Sequence, residues 1–397
     1  MKVLLVGNYE PDRQHSMLSF SKMLELGLRH AGHFVSVIRP EPRLRRLLGA
    51  GPGLAKWLGY LDKFVLFPAR LRTAAKSADV VHVCDHAYAP YTRYLEGIPT
   101  VVTCHDLIAA RCALGEFSEI HTRWSGRRYQ NMIVNGLAQA QHVVCDSDST
   151  AHDVRRLCNL MPSATSVVHV ALNFAYRPVS EAEKEIRLDR LGLSRSDRFI
   201  LHVGGNTWYK NQAGVVRIFQ KIAATQQACG IGLVMVSGGL TASLRRVIGN
   251  GGSQQRVRVL SHVEPEDLRA LYSSATALLF PSLQEGFGWP IIEAQACGCP
   301  VFASDRPPMT EVGGEGAVYF DPENHEQAAN MILDNLPHAS RMRDAGFANI
   351  RRFSVEKMVA GYVRAYAEAI KAISIPRSRQ TIKSAVASTA DAASFYK

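Results

Sequence analysis

"RFILHVGG" (198–205) is an apolar run closing on two glycines, and its reading decides the fold, because a β/α pattern that has already run once begins again here. Before it, short runs rich in Val, Ile and Leu recur at "KVLLVG" (2–7), "FVSVIRP" (34–40), "DVVHVC" (79–84), "TVVTCHD" (100–106) and "HVVCDS" (142–147). Amphipathic stretches such as "SMLSFSKMLELGLRHAG" (16–32) separate them. Continuous apolar runs between helical patterns predict parallel strands covered on both faces. After residue 205 the pattern repeats in "GLVMVSGG" (232–239), "RVRVLSHV" (256–263), "ALLFPS" (277–282) and "VFASD" (301–305). The expectation is an α/β protein of two Rossmann-like, doubly wound domains, over 1–176 and 198–354. A charged helical linker spans 177–197, a last helix over 355–374 packs back on the first domain, and a small polar tail at 375–397 is expected to be disordered. Ligands of such sheets lie outside the carboxyl ends of the strands, so a site is expected in the cleft between the two domains.

The chain has 397 residues and a net charge of +11, with 47% apolar and 20% charged residues, a composition that fits a globular enzyme and excludes a disordered chain. No apolar run is long enough to cross a bilayer. The start "MKVLLVGNYE" lacks a small-residue cleavage site and reads as a buried first strand. Eight cysteines show no C-x-x-C pairing, which places the chain in a reducing cytoplasm. "ACGCP", with Cys297 and Cys299, reads as a helix-to-strand corner, a redox or metal pair being the alternative. Residues 39–76 carry nine basic side chains against Glu41 and Asp62 alone, a surplus of seven. They are Arg39, Arg43, Arg45, Arg46, Lys56, Lys63, Arg70, Arg72 and Lys76, interleaved with leucines, Trp57 and Tyr60. This mixture fits an anionic membrane surface, and so a peripheral protein of the inner membrane face; a solvated basic face is the alternative. No nucleic-acid-binding module accompanies the charge.

"EGFGWPIIE" (285–293) links the strand "ALLFPS" to a helix. Pro290 suits a helix start and Gly298 a helix end. A helix N-terminus behind a glycine turn presents free amides to an anion, and phosphate is the obvious one. Carboxylates would be repelled by phosphate but bind vicinal hydroxyls through paired acceptor oxygens. Glu285 and Glu293 therefore suggest a ligand with hydroxyls on both sides of its phosphates, as in a sugar nucleotide. In "HVGGNTWYKN" (202–211), Gly204 and Gly205 allow close backbone approach, and Lys210 supplies a cation for the diphosphate.

The stretch 281–322, from "PSLQEGFGWPIIEAQACGCPVF" to "YFDP", closely resembles the donor-binding signature of retaining GT-B glycosyltransferases of family 4. The resemblance is strongest over 198–322. It implies that Glu285 contacts the donor hexose, Glu293 the ribose and Lys210 the diphosphate, with backbone amides of Gly286, Phe287 and Gly288 assisting. It also implies same-face attack without a carboxylate nucleophile, and neither a cofactor nor a divalent metal. Two departures stand out. Gly205-Asn206-Thr207-Trp208-Tyr209 lacks the arginine many members carry before the lysine, and "EPDRQHSM" (10–17) replaces the N-terminal glycine pair, leaving Arg13 or the helix start near Ser16 to compensate.

In the first domain, His105 and Asp106 directly follow a strand, where the resemblance gives the histidine a role at the donor hexose; a structural cap is the alternative. Asp85 and His86 end another strand and are candidates for the acceptor side. Asp146-Ser147-Asp148 looks like a metal-binding D-x-D, but its place before "TAHDVRRL" reads as a helix cap. The expected activity is hexose transfer, with mannose from GDP-mannose as one candidate and UDP-linked donors open, to a glycan or lipid-linked acceptor in cell-surface polysaccharide synthesis. Alternatives are a non-catalytic sugar-nucleotide or glycan binder and an NAD-dependent oxidoreductase. The latter is disfavoured because "VGNYEPDRQ" lacks G-x-G-x-x-G.

Overall fold

Two six-stranded, wholly parallel sheets organise the chain, as described by a computed structural model for residues 1–12, 14–44, 52–117, 120–249 and 256–374. The first contains β1 (Lys2–Val6), β2 (Phe34–Ile38), β3 (Val80–Val83), β4 (Thr100–Cys104), β5 (His142–Cys145) and β6 (Thr165–Val167), in the order β2-β1-β3-β4-β5-β6. The second contains β7 (Arg198–Val203), β8 (Ile231–Val236), β9 (Val257–Leu260), β10 (Ala277–Phe280), β11 (Val301–Ser304) and β12 (Ala317–Phe320), in the order β12-β11-β10-β7-β8-β9. Every residue of β3, β4, β5, β10 and β11 is buried, as strands flanked by helices on both faces must be. The chain is therefore an α/β protein of two Rossmann-like domains. Each sheet gains one edge strand beyond those the sequence pattern shows, β6 and β12, which are short and only partly buried.

The helices that matter to the site are α1 (His15–His30), α2 (Pro52–Leu61), α3 (Phe67–Ala75), α4 (Asp148–Cys158), α5 (Gln212–Ala223), α6 (Trp289–Ala296) and α7 (Val355–Ser374). Between α2 and α3 runs a π-helical turn, Asp62–Leu66. Within 177–197 a helix, Glu181–Arg190, is capped by Ser180 and lies on the second domain, where Arg187 meets Asp267 at 3.0 Å and Arg269 bonds Glu183.

Helix α7 crosses back to the first sheet. Tyr362 Oη lies 3.0 Å from Thr103 Oγ1 and Tyr366 Oη 2.9 Å from His82 Nδ1, while His82 Nε2 meets Thr103 Oγ1 at 2.7 Å. These groups are buried, so a complete set of hydrogen bonds is what makes their burial tolerable. Burial holds His82 neutral, pushing its pKa down to about 3. Close approach is possible because Gly27 of α1 faces Val359 and Gly361 faces Val168; a Cβ at either glycine would meet a methyl at 2.5 and 2.8 Å. The last helix, which follows the second domain in the chain, thus packs on the first. The tail 375–397 lies outside the described residues.

Candidate active site

The glycine turn after β10 is held from both domains. Leu283 N donates to Tyr209 O at 2.7 Å, and Asn211 Nδ2 to Pro281 O at 3.1 Å. From the first domain, Ser147 Oγ and Thr150 Oγ1 donate to Gly286 O at 2.7 and 3.2 Å, and Arg111 Nη1 donates to Gln284 Oε1 at 2.9 Å. A Cβ on Gly286 would stand 1.9 Å from His105 O, so the approach of the two domains at this point requires glycine. Gly288 caps α6 at φ 98°, and Gly298 turns the chain after it at φ 74°. Pro290 occupies the first turn of α6, where no N–H is missed. Glu311 adds a further tie across the domains, accepting from Asp148 N at 3.0 Å and meeting His169 Nε2 at 2.6 Å.

Both glutamates of the turn lie near Lys210. The ammonium is 2.7 Å from Glu285 Oε1, and both side chains are largely buried. Glu293 is buried beneath the turn, where Tyr272 Oη donates to it at 2.9 Å. Burial pushes its carboxyl pKa up to about 7, although the Tyr272 hydrogen bond and the Lys210 charge both pull the other way. Gly204 packs against Lys210, with a would-be Cβ 3.2 Å from Lys210 Cδ; Gly205 borders open space.

His105 stands at the end of β4 with both ring nitrogens occupied, Nδ1 at 2.7 Å from Asp146 Oδ2 and Nε2 at 2.9 Å from Cys84 O. Two acceptors require two N–H groups, so the ring is an imidazolium. Burial alone would lower its pKa, but the Asp146 carboxylate reverses that and raises it to about 9. In this arrangement His105 is a buried cation, with its backbone carbonyl against the glycine turn.

The other expected residues separate into groups. Asp106 and His86 line a cavity of about 830 Å³ between the domains, together with Gln14, Ser16, Trp208 and Tyr209. Asp106 Oδ1 also caps the following turn through Ile108 N at 3.0 Å. Asp85 lines the same cavity but is almost wholly buried, accepting from Asn8 Nδ2 and from Ala87 N at 2.8 Å. The Phe287 side chain packs against His169 and Phe353, so only its backbone is left to face a ligand. Arg13, Arg45 and Arg46 lie outside the described residues, as does the side chain of Lys56. Ser147 is the N-cap of α4, taking Thr150 N at 3.2 Å, while Asp146 carries His105. Among the described residues no group of three or more His, Cys, Asp or Glu side chains could hold a metal ion, and all eight cysteines are free thiols.

The basic surplus of 39–76 is smaller than its sequence count. Arg39 pairs with Glu10 and Lys63 with Asp12, two acids from the turn after β1, and Arg43 and Arg70 share Glu41. Beside its exposed basic side chains, Arg43, Arg70, Arg72 and Lys76, the segment exposes Trp57, Leu61 and Val65, which are 69%, 44% and 62% exposed at four-residue spacing, on one helical face.

The family model described as glycosyl transferases group 1 matches residues 183–347, and the model described as Glycosyltransferase Family 4 matches 22–175. The O-antigen chain mannosyltransferase B of Escherichia coli is 28% identical over 270 residues, covering 67% of this chain and 69% of that protein. The GDP-mannose:cellobiosyl-diphosphopolyprenol alpha-mannosyltransferase of Xanthomonas oryzae pv. oryzae is 25% identical over 344 residues, 81% of each chain. The match to the Salmonella typhimurium O-antigen chain mannosyltransferase RfbU, at 26% identity, spans 53% of this chain and 56% of that protein's length. Among solved structures, Anabaena HepE in complex with UDP and glucose superposes with a TM-score of 0.70 at 16% identity, over 92% of this chain and 99% of that one. Sucrose-phosphate synthase of Thermosynechococcus elongatus superposes at 0.71 and 18% identity, over 94% and 100%. At these identities the structural matches speak to the fold.

Proposed function

The chain belongs to the GT-B glycosyltransferases of family 4 type, and on that premise we propose that it moves a hexose, mannose from GDP-mannose, onto a hydroxyl of a glycan or lipid-linked acceptor in cell-surface polysaccharide synthesis. The transfer is proposed to retain anomeric configuration and to need no divalent metal or cofactor. The observation that carries the reading is the grouping of Glu285, Glu293 and Lys210 around a glycine turn that also touches His105 of the facing domain. The mannosyl relatives support the choice of donor.

In this proposal the diphosphate draws Lys210 away from Glu285, and the freed carboxylate accepts from hexose hydroxyls. Glu293 accepts from the ribose diol. The bond from the anomeric carbon to the diphosphate breaks and the acceptor oxygen bonds to the same face. The acceptor's proton passes to the leaving phosphate oxygen. Lys210, the amides of 286–288 and the dipole of α6 stabilise the charge growing on that oxygen, and the His105 imidazolium adds a fixed positive field. Closing the cleft keeps water from competing with the acceptor. A lipid-linked acceptor would be met at a membrane surface by the Trp57, Leu61 and Val65 face. No helix among the described residues is long and apolar enough to cross a membrane.

The deciding experiment incubates the purified protein with GDP-mannose and, separately, UDP-glucose, in chelator, with a panel of glycosides, and follows nucleotide release and product anomers by NMR. Release of GDP with an α-linked product supports the proposal. Release of UDP alone would replace the donor, and no turnover with intact nucleotide binding would favour a non-catalytic binder.

The raised carboxyl of Glu293 gives a second test. If the ribose needs the ionised form, GDP binds more tightly as pH rises from 6 to 8 through the Glu293 pKa near 7. The expected gain is about tenfold, since ionisation of one group centred in that window changes the competent fraction by that factor. Titration calorimetry at both pH values should show the gain in wild type and its loss in Glu293→Gln.

A further inference from the structure

The first domain holds a second cavity, of about 340 Å³, whose walls include Tyr9, Asp12, Tyr60, Lys63, Tyr88 and Tyr129. It shares Gln14 and Ala87 with the cavity between the domains, so the two adjoin. Lys63 enters it from the π-helical turn Asp62–Leu66, a kind of irregularity that recurs at functional sites. The turn is pinned by buried Asp62, which accepts from Tyr9 Oη at 3.1 Å and from Leu44 N at 2.9 Å. Lys63 Nζ lies 2.8 Å from Asp12 Oδ2 and stands 4.9 and 5.3 Å from the ring centroids of Tyr60 and Tyr9. Tyr129 is fixed by donating to Ala87 O at 2.8 Å, and the Tyr60 ring meets it edge-on at 6.3 Å.

The chemistry of these walls selects a ligand. The ammonium is already matched by a carboxylate, so among the described residues the cavity has no excess positive charge with which to hold a phosphate. It does offer aromatic faces together with donors and acceptors at its edge, namely the Lys63 N–H groups, Asp12, the Gln14 amide and tyrosine hydroxyls. Aromatic faces take the C–H side of a pyranose, and the polar rim takes its hydroxyls. The volume lies at the small end of ligand pockets, enough for a single ring. We infer that this cavity is an acceptor subsite that binds a neutral pyranose residue of the acceptor glycan, next to the residue whose hydroxyl is glycosylated in the interdomain cavity. The inference rests on the transferase reading and extends it to the acceptor.

The test uses the full chain saturated with GDP and the probes methyl α-mannopyranoside, methyl α-glucopyranoside and methyl α-galactopyranoside, observed by saturation-transfer NMR. At least one glycoside should give a signal that falls fivefold or more in Tyr60→Leu and in Lys63→Met and survives in Tyr60→Phe, with thermal stabilisation by GDP unchanged in all three. Should Lys63→Met fail to fold, Tyr60→Leu, at a partly exposed position, decides alone. A glycoside signal indifferent to these substitutions would overturn the subsite, as would none at all while GDP still binds. Displacement of the glycoside by inorganic phosphate in wild type but not in Lys63→Met would also overturn it, in favour of an anion site. Failure of wild type to bind any nucleotide would instead count against the transferase reading.

Discussion

Gly286→Ala is expected to reduce turnover at least ~100-fold, the penalty typical of misplacing reacting groups by about an ångström, while leaving the second domain folded. The added methyl would sit 1.9 Å from His105 O and 2.9 Å from Asp106 Cβ. The first of these is backbone at the end of a central strand and cannot turn aside as a flexible side chain would. The turn must therefore retreat from the first domain, surrendering the hydrogen bonds that Ser147 and Thr150 make to Gly286 O. Overpacking of this kind costs about 1–3 kcal/mol or more, and it falls on the closed arrangement of the domains rather than on either core. Small-angle scattering should report a more open molecule, and kcat should fall further than nucleotide affinity. A Gly286→Ala protein with wild-type kcat would show that closure at this turn is not required for the reaction.

The second large effect is expected at His105. Alanine there leaves the Asp146 carboxylate buried without its cation and Cys84 O without its donor. Breaking a buried pair from one side costs about 3–5 kcal/mol, readable by denaturant unfolding at pH 7. The pH dependence is also specific. A histidine whose folded pKa is raised contributes its full stability below the unfolded value of about 6.5 and loses it as pH rises through the folded value near 9. Wild type should lose this contribution between those limits, and His105→Ala should not. The double variant His105→Ala, Asp146→Ala should regain part of the loss, because the stranded charge is gone. Identical pH profiles for wild type and His105→Ala would remove the imidazolium from the account.

How legible this was in the sequence depended on how local each feature is. Central strands announce themselves as apolar runs, and the β10–α6 connection carries its glycines, proline and glutamates within nine residues. The edge strands β6 and β12 gave too little signal, being three and four residues long and only partly covered. The pairing of His105 with Asp146 could not be read because the two are 41 residues apart. It becomes visible once β4 and β5 are neighbours in parallel register with Cys104 opposite Cys145, since the residue after each strand end then stands beside the other. Asn8 and Asp85 meet by the same logic, two residues beyond the register of Val6 with Val83. Counting charge within 39–76 overstated the basic field because Glu10 and Asp12 reach it from outside the window.

The central claim is that the Glu285, Glu293 and Lys210 cluster holds a nucleoside diphosphate, and thermal stabilisation by GDP, UDP, ADP and NAD, with wild type and Glu293→Ala side by side, tests it most directly. A ligand that binds only the folded state adds about 2.7 kcal/mol at a hundredfold excess over its dissociation constant. The account predicts a clear upward shift in melting temperature with GDP, or with UDP if the donor differs, that disappears in Glu293→Ala. A shift that persists in the variant, or one produced by NAD alone, would contradict it.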